Sequence, residues 1–547
     1  MTRYLLAAEA DKIQDLLFRS AKLREVAGGS QLLRDFCEET PQELGVKADD
    51  IITSAGGGFR ILFDTKEAAE AFGRQLAEAY RLTTGGTLTV AEPAPVNGDF
   101  GKASEQAHQN LRRAKRWPDR RRSESVWQGQ EHQPYIAFCA SCGVGLAVTH
   151  QAYHEDEPAQ YLCASCRNKA TGGRTRRAER PMGEFLADFY KVVAEQAGMS
   201  LQDLRWPGQV KNPRTGEIDP VEDIAEYDSR RYVAYIVADG NNMGQLFSAC
   251  KTPEQMRELS QGLSQAVRKA LAKPTHLLMD RQGLGNFIPV YPLILGGDDI
   301  FVLIPAPWAL DFARRFAQAY EEEMKTLIKK IGLENIPAPS ISVAVVICKN
   351  KHPYTQAHQA GERRLKQAKR MSKRLALKDQ TPASAINFEV VLGGRLVTET
   401  EVGKVRPTLR PYWASDKSPD ADWGLPIKTL IEQRHTLRNI SRKRLAELRD
   451  LYDASNLPDS ITKKNDLQSW QARLERLLQR IGRNEQNRKT VENALTEQGG
   501  SKGKAYWREV HRPPEDRWHG HGLPDLLEAW DFALDLEKSR QDYEEAE

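Results

Sequence analysis

The sequence lacks any apolar segment long enough to cross a membrane. Its longest purely apolar run, Tyr232–Ala238, has 7 residues, whereas a membrane-spanning helix needs about 20. The first residues, Met1–Glu9, turn acidic after too few apolar side chains to form the core of a signal peptide. We therefore expect a soluble, cytoplasmic protein without membrane contacts.

An excess of one charge is also missing. The 79 Lys and Arg residues nearly balance the 75 Asp and Glu residues, which leaves a net charge of +4. Any surface that binds nucleic acid must therefore be local. Two basic runs, Arg112–Arg122 and Arg363–Lys378, are candidates. In both runs, contact with nucleic acid or a triphosphate competes with a simpler interpretation as a solvated helix face.

Several catalytic motifs are absent as well. No Gly-x-x-x-x-Gly-Lys-Ser/Thr loop is present, so the sequence does not support a P-loop ATPase. The 11 histidines include no His-Asp dipeptide of the kind that marks a hydrolytic metal site. The 7 cysteines are an odd, sparse set that makes a poor disulfide framework. What remains is an ordinary globular composition, with enough length for about three or four domains.

The chain contains a diverged internal repeat. Each copy has an apolar strand followed by the start of a helix, then a hairpin with a Gly-Gly turn, and then a basic helix. This order predicts two copies of a β-α-β-hairpin-α-β unit, which is the ferredoxin-like arrangement. The matching segments are Tyr4–Phe18 with Val233–Phe247, Ser54–Phe63 with Ile294–Leu303, and Gln106–Arg116 with Ala360–Arg370.

The repeat and its flanking segments predict an α+β protein with four domains. Residues 1–130 and 226–395 form the two ferredoxin-like domains, and residues 131–225 form a cysteine-containing segment with a linker. The linker includes a Gly/Arg-rich stretch, Thr171–Arg180. Residues 396–547 form a C-terminal α-helical domain, because apolar residues recur there at three- and four-residue spacing. The clearest such stretches are Leu430–Leu451, Asp466–Ile481 and Asp525–Leu536.

The second copy of the repeat carries three aspartates where chemistry would take place. Asp239 ends a strand, and Asp298 and Asp299 lie in the turn of the hairpin that neighbours this strand in a ferredoxin-like sheet. Converging carboxylates suit two Mg²⁺ ions, which activate an attacking hydroxyl and stabilise a leaving pyrophosphate. A surface turn is the alternative interpretation, since Gly and Asp are common in turns. The apolar flanks of the turn favour the catalytic interpretation.

The residues around the aspartates fit nucleotide binding. Gly296 and Gly297 have no side chains to obstruct a triphosphate that approaches the backbone. We predict that Lys366 or Lys369 contacts phosphate, because their helix should pack beside the aspartates.

The first copy of the repeat has lost the acidic set, by which we mean the counterparts of Asp239, Asp298 and Asp299. Aligning the two copies places Ala10 opposite Asp239, and Gly58 and Phe59 opposite the Asp pair. We therefore expect the first copy to catalyse nothing.

The cysteines predict a structural zinc site. The two Cys-x-x-Cys pairs are separated by 20 residues, which is a spacing typical of tetrahedral zinc sites with four thiolates. Two reduced, solvent-exposed pairs are the alternative. A closed shell of four thiolates leaves no open coordination position, so the metal would stabilise the fold. The predicted ligands are Cys139, Cys142, Cys163 and Cys166.

This arrangement resembles the large subunit of type III CRISPR effector complexes. The resemblance covers the order of the domains, the second-copy segment Val237–Gly244 with Gly296–Asp299, and the zinc segment that begins at Phe138. The segments Gly28–Ser30 and Pro524–Trp530 are also similar to features of that family. In its terms, the two ferredoxin-like domains are palm domains of the nucleotidyl cyclase type.

The resemblance implies a function and residue roles. The protein would convert ATP into cyclic oligoadenylates when its complex, with other subunits and CRISPR RNA, binds target RNA. Asp239, Asp298 and Asp299 would hold Mg²⁺ or Mn²⁺. Ser30, taken to open a helix, would lie near a second nucleotide across the interface of the palms.

Two departures from the family pattern modify these expectations. Many members begin with a His-Asp nuclease domain, and this chain begins at the first palm, so we expect no cleavage of single-stranded DNA. Many members also carry Asp where this chain has Asn241, which we expect to modify activity without abolishing it. A stand-alone nucleotide cyclase or oligonucleotide synthase, and a catalytically silent scaffold, remain as alternative functions.

Overall fold

The computed structural model describes most of the chain, including both halves of the repeat. None of the described helices is long and apolar enough to cross a lipid bilayer. The basic run beyond residue 116 and most of the Gly/Arg-rich stretch lie outside the described residues. The described ranges are 2–20, 23–116, 137–152, 158–172, 184–209, 219–281, 284–376, 382–391, 404–453, 456–458, 461, 464–482, 485–500, 505–512 and 516–538.

The first palm is an antiparallel sheet with helices on both sides. Its strand order is β2-β3-β1-β4, and β5 also pairs with β1. Leu6 and Ala8 of β1 join one core with α2 and α3, while Leu5 and Ala7 join another with α4. This alternation is the two-residue period of a strand that is covered on both faces. The elements are β1 (Arg3–Ala10), α1 (Ile13–Phe18), α2 (Leu23–Glu43), β2 (Ile51–Ala55), β3 (Gly58–Phe63), α3 (Lys66–Thr84), β4 (Leu88–Val90), β5 (Ala94–Val96) and α4 (Phe100–Arg116).

In the described parts of the segment between the palms, the chain forms a small hairpin and three α-helices. Strands β6 (Thr149–Gln151) and β7 (Gln160–Leu162) pair with each other and are followed by α5 (Ala164–Gly172). Helix α5 lies against the end of α3, because the side chains of Ser165 and Asn168 donate hydrogen bonds to the carbonyls of Thr84 and Thr83. The chain then continues through α6 (Glu184–Ala197) and α7 (Pro220–Ala225).

The second palm has a larger sheet in the order β14-β12-β11-β8-β10-β9, in which β14 (Tyr412–Trp413) comes from the C-terminal region. Its central strand β8 contains the longest apolar run of the sequence, and it is buried from Tyr232 to Ala238. Such a run is expected of a strand enclosed on both faces. The elements are β8 (Tyr232–Gly240), α8 (Met243–Ala249), α9 (Pro253–Arg281), β9 (Tyr291–Gly296), β10 (Asp299–Pro305), α10 (Ala309–Lys330), β11 (Ile341–Lys349), α11 (Tyr354–Ala376) and β12 (Ala385–Val390).

The two palms repeat one topology. The path β2-β3-β1-β4 in the first matches β9-β10-β8-β11 in the second, and all of these pairs are antiparallel. The predicted duplication and α+β class are confirmed, whereas the domain boundaries stay predictions.

The C-terminal region is mainly helical and also contains strands that the sequence did not predict. A three-stranded sheet has the order β13-β16-β15, and β14 extends the sheet of the second palm. The predicted helix Leu430–Leu451 is interrupted between Thr436 and Arg442, and the last predicted helix ends at Glu528 before a short 3₁₀ turn. The elements are β13 (Val405–Arg406), β14 (Tyr412–Trp413), α12 (Lys428–Thr436), α13 (Arg442–Asp450), α14 (Lys464–Ile481), α15 (Glu485–Gln498), β15 (Arg508–Arg512), β16 (Asp516–Gly520) and α16 (Leu523–Glu528).

Candidate functional site

Three aspartates come together where strand β8 ends beside the β9–β10 hairpin. Asp239 pairs directly with Asp299 across the antiparallel ladder, and Asp298 lies in the turn just before β10. Directly opposed residues of this kind have Cβ atoms about 4.5–5.5 Å apart. In the otherwise buried β8, Asp239 is the one residue that is partly exposed. The structure thus places the three residues together as predicted, and their chemical roles stay predictions.

Burial and mutual repulsion make these carboxylates reluctant to ionise. Burial, followed by the charge of Asp239, raises the pKa of Asp298 to about 6. Burial and then the charges of Asp298 and Asp239 raise the pKa of Asp299 to about 7. Hard oxygen ligands of this type fit Mg²⁺ or Mn²⁺, and such a cation would offset the repulsion.

The raised pKa values predict that these two carboxylates destabilise the metal-free protein as the pH rises. Each binds its proton more tightly in the folded than in the unfolded state, so its contribution to the free energy of unfolding falls between about pH 4 and pH 7. Asp298→Asn should therefore raise the melting temperature at pH 8 in chelator and change little at pH 4. Thermal unfolding at both pH values tests this, with exposed Asp453→Asn as the control. An equal melting temperature of Asp298→Asn and wild type at pH 8 would contradict it.

A lysine already compensates part of the negative charge. The Lys369 ammonium, on α11, lies 2.6 Å from Oδ2 of Asp239 and lowers the pKa of both hairpin aspartates. Lys366, one turn earlier, is exposed, and its charge acts on Glu362. Of the two predicted phosphate contacts, Lys369 is the one that touches the acidic set.

The hairpin turn leaves open space on its backbone. Gly297 has a φ of 62°, in the left-handed region that favours glycine, and a Cβ at Gly296 or Gly297 would meet no atom within 4 Å. The turn of the first palm lies close by, since a Cβ at Gly56 would be 3.9 Å from the carbonyl carbon of Gly296. The two hairpins therefore meet tip to tip.

Two large cavities adjoin the aspartates. One of about 610 Å³ lies between the palms and is lined by Glu9 and Lys115 of the first palm and by Asp298 and Asp299 of the second. Another of about 780 Å³ is lined by Asp239, Asp298 and Lys369, together with Arg112 and Lys373. Asp298 borders both, so the acidic set faces enough space for more than one small charged ligand.

Comparison with known proteins identifies the second palm. Residues 232–378 match the family model described as Cas10/Cmr2, second palm domain. The chain is Cas10-like in this domain. The matched range begins at the first residue of β8 and includes α11, so it contains all three aspartates and Lys369. The resemblance inferred from the sequence is confirmed for this domain.

Several solved structures show a distant likeness to this chain. A Csm1–Csm4 cassette in complex with pppApApA is 15% identical, with a TM-score of 0.44, over 82% of this chain and 62% of that chain. The cassette in complex with cA4 is 15% identical, with a TM-score of 0.43, over 73% of this chain and 55% of that chain. Csm1 from T. onnurineus is 14% identical, with a TM-score of 0.42, over 73% of this chain and 54% of that chain. The chain thus spans about half to three fifths of these structures. Curated proteins gave no match.

The strand register corrects the comparison between the two palms. Glu9 pairs with Gly58 in the first palm, as Asp239 pairs with Asp299 in the Cas10-like palm. Ala10 is therefore not the counterpart of Asp239, and Gly57 and Gly58, rather than Gly58 and Phe59, replace the Asp pair. Phe59 is a buried core residue.

The first palm consequently keeps one acidic position. The Lys115 ammonium lies 2.6 Å from Oε1 of Glu9, which reproduces the Asp239–Lys369 ion pair of the Cas10-like palm at the same distance. Only the two carboxylates of the hairpin turn are missing, so a complete three-carboxylate set is confined to the Cas10-like palm.

Ser30 lies inside a helix, and the prediction that it opens one is wrong. Helix α2 begins at Leu23, and the Ser30 hydroxyl shares its single proton between the carbonyls of Val26, at 3.1 Å, and of Leu293 in β9, at 2.8 Å. Gly29 packs closely on α1, because a Cβ there would be 2.6 Å from Leu17 Cδ2 and would displace the end of that side chain. Ser30 therefore joins the first palm to the Cas10-like hairpin, beside a cavity of about 110 Å³ that Gly296 and Asp299 also line.

Ser30→Ala should therefore alter nucleotide use through the contact between the palms. Losing one hydrogen bond should cost about 1 kcal/mol of stability and raise the ATP concentration needed for half-maximal turnover, because β9 leads directly into Gly296. Thr275→Ala, which removes a buried hydroxyl bonded within α9, is the matched control. If Ser30→Ala and Thr275→Ala show the same ATP dependence, Ser30 has only a structural role.

Sequence reasoning missed two residues near the site. His108, on α4, lines both large cavities, and its pKa is lowered by burial and then by the charges of Arg112 and Arg60. Glu362, on α11, has a pKa raised mainly by burial. The repeat offered a signal for His108, because α4 matches α11, which carries Lys369.

The predicted zinc ligands also come together. Among the described residues they form the one set of three or more potential ligands whose donor atoms lie within 4.8 Å of one another; the three aspartates are spread more widely. The turn that contains Gly145 packs tightly against Cys163, since a Cβ at Gly145 would be 2.8 Å from that of Cys163. Hydrogen bonding from Cys166 is the main cause that lowers the pKa of Cys163 to about 5. Four thiols with one readily ionised member fit Zn²⁺. The set comprises Cys139, Cys142, Cys163 and Cys166.

Proposed function

We propose that this chain is the nucleotidyltransferase subunit of a type III CRISPR effector complex and that it converts ATP to cyclic oligoadenylates. The observation that carries the proposal is the pairing of Asp239 with Asp299, beside Asp298, within a Cas10-like palm. Companion subunits, CRISPR RNA and target RNA are the proposed partners.

The residues of the site have distinct proposed tasks. Asp239, Asp298 and Asp299 would hold two divalent cations, whose chemistry would be to lower the pKa of the attacking ribose hydroxyl and to neutralise the leaving pyrophosphate. Lys369, which is paired with Asp239, would then be available to bind a phosphate of the nucleotide. Gly296 and Gly297 leave room for the triphosphate beside the hairpin.

The proposed reaction joins the 3′-oxygen of one nucleotide to the α-phosphorus of another. The bond from that phosphorus to the pyrophosphate oxygen breaks, and the proton of the hydroxyl passes to water. In-line attack requires both nucleotides to be held in register. The cavity between the palms supports this task, because its first-palm wall supplies Lys115 and Arg60 while the other wall supplies Asp298 and Asp299.

The test is a product assay with the chain alone and within its complex. ATP and Mg²⁺ should yield pyrophosphate and cyclic oligoadenylates, identified by mass spectrometry, when the complex contains CRISPR RNA and target RNA. Equal turnover by the isolated chain would favour a stand-alone cyclase. Absence of turnover in both preparations would favour a scaffold.

A further inference from the structure

The turn that follows Asp239 is held by a buried amide. The side chain of Asn241 is 3% exposed and lies between two serines that are 0% exposed. Its Nδ2 donates to Oγ of Ser340 at 3.0 Å, and its Oδ1 accepts from Oγ of Ser342 at 3.0 Å. The amide therefore uses a donor and the acceptor at the same time, which an asparagine can do and an aliphatic side chain cannot.

The backbone of the turn is fixed at the same place. The Asn241 N–H donates to the Ser340 carbonyl at 2.8 Å, which continues the pairing of β8 with β11 one residue beyond Gly240. Asn242 then adopts a φ of 62°, and helix α8 begins at Met243. Three hydrogen bonds of one residue thus determine where the strand ends and the helix starts.

This turn also packs closely against Asp298. A Cβ at Gly240 would be 2.8 Å from the Tyr320 hydroxyl, 2.9 Å from Met243 Cγ and 3.0 Å from Asp298 Cβ. Gly240 is also bonded directly to Asp239. A displacement of the turn would therefore move Asp239 and at the same time change its distance from Asp298.

We propose that Asn241 is a positioning residue, whose amide clamps residues 240–243 and so holds Asp239 and Asp298 in the relative position that binds divalent cations. The inference rests on the proposed function, because it takes these aspartates as the cation ligands. Asparagine also adds no charge to a cavity that Asp239 and Asp298 already line. An aspartate could accept hydrogen bonds from both serine hydroxyls, since hydroxyl protons rotate, and would therefore keep the clamp.

The experiment measures cation binding without nucleotide. Calorimetric titration of the protein with Mn²⁺ should show about 10-fold weaker binding in Asn241→Ala, which is the scale for groups that orient metal ligands. In the assembled complex, kcat should fall about 10- to 100-fold, because small misplacements of reacting groups are costly. The KM for ATP should change less than about 3-fold, since Asn241 does not hold the triphosphate.

Two further variants separate the clamp from simple destabilisation. Asn241→Asp should bind Mn²⁺ more tightly than Asn241→Ala, and Ser342→Ala, which removes one of the two side-chain bonds, should fall between wild type and Asn241→Ala. Asn387→Ala is the matched control, because Asn387 is a buried amide of the same sheet that bonds to Gln367. It should lose stability and keep its Mn²⁺ affinity.

The outcomes also distinguish this inference from the proposed function. Wild-type Mn²⁺ affinity and kcat in Asn241→Ala, or an equal loss of Mn²⁺ affinity in Asn241→Ala, Asn241→Asp and Asn387→Ala, overturns the positioning role. If wild type makes no oligoadenylate but binds Mn²⁺ more tightly than Asn241→Ala, the proposed function fails and the positioning role stands.

Discussion

A complex that carries Asp298→Ala together with Asp299→Ala is expected to make no detectable oligoadenylate from ATP at any Mg²⁺ concentration. The two substitutions remove the turn carboxylates and leave Asp239 paired with Lys369. Losing a single preorganised charge-stabilising group costs about 10²- to 10³-fold in kcat, and here two are lost from one unit. Mass spectrometry of the products, with target RNA bound, measures the effect.

The same double variant should keep its fold and its RNA binding. Its melting temperature at pH 8 in chelator should not fall, because the substitutions remove two buried, mutually repelling carboxylates with raised pKa values. Target RNA should still bind, since the hairpin turn faces the cavity between the palms. Full activity of the double variant, or of wild type in EDTA, would refute the assignment of the aspartates.

Loss of the zinc site should have a large effect on the stability of the region between the palms. Metal analysis should find roughly one zinc per chain, and Cys139→Ser should leave less than about a fifth of it, because three thiolates no longer close a tetrahedral shell. Since such sites contribute folding energy directly, limited proteolysis should then cut within residues 137–172 at a temperature at which wild type resists. Helix α5 contacts Thr83 and Thr84, so the end of α3 should also become less stable.

The control for this prediction is another buried cysteine. Cys250→Ser makes the same chemical change outside the cluster, at a residue whose thiol bonds only to a neighbouring helical carbonyl, that of Leu246. It should keep its zinc and its resistance to protease in residues 137–172. A zinc-free wild type that is fully folded would end the assignment of the four cysteines.

Structural features that a short stretch of sequence encodes by itself could be predicted. The apolar run of β8, the Gly-Gly-Asp-Asp turn and the two Cys-x-x-Cys pairs each encode their own local structure. Their order along the chain then sufficed to predict the duplicated sheet, because sequential strands of a ferredoxin-like unit have one arrangement.

Register and packing could not be read in this way. Aligning apolar residues placed Ala10 opposite Asp239, although the strand pairing places Glu9 there, and a one-residue slip exchanges the two faces of a strand. Ser30 was taken to open a helix, whereas helix α2 begins at Leu23. The close contact of Gly29 with the end of Leu17 is one that only the folded chain shows.

Contacts between distant segments were the other limit. Ser30 meets Leu293, which lies 263 residues further along the chain, and His108 reaches the cavities that Asp298 borders through the packing of one palm on the other. No local pattern around residue 30 or 108 specifies these neighbours. Asn241 likewise looked like a departure from a motif until its two serine partners were placed beside it.

The meeting of the two hairpins makes the halves of this polypeptide interdependent. The three aspartates of the site belong to residues 239–299, yet the opposite wall of the cavity between the palms is lined by residues 9–115. An excised second palm would keep its acidic hairpin and lose Glu9, Arg60 and Lys115. Its aspartates would then lack the opposite wall of the cavity. The duplicated palms therefore form one indivisible unit for recombination and for engineering, and a swap between relatives would have to exchange both together.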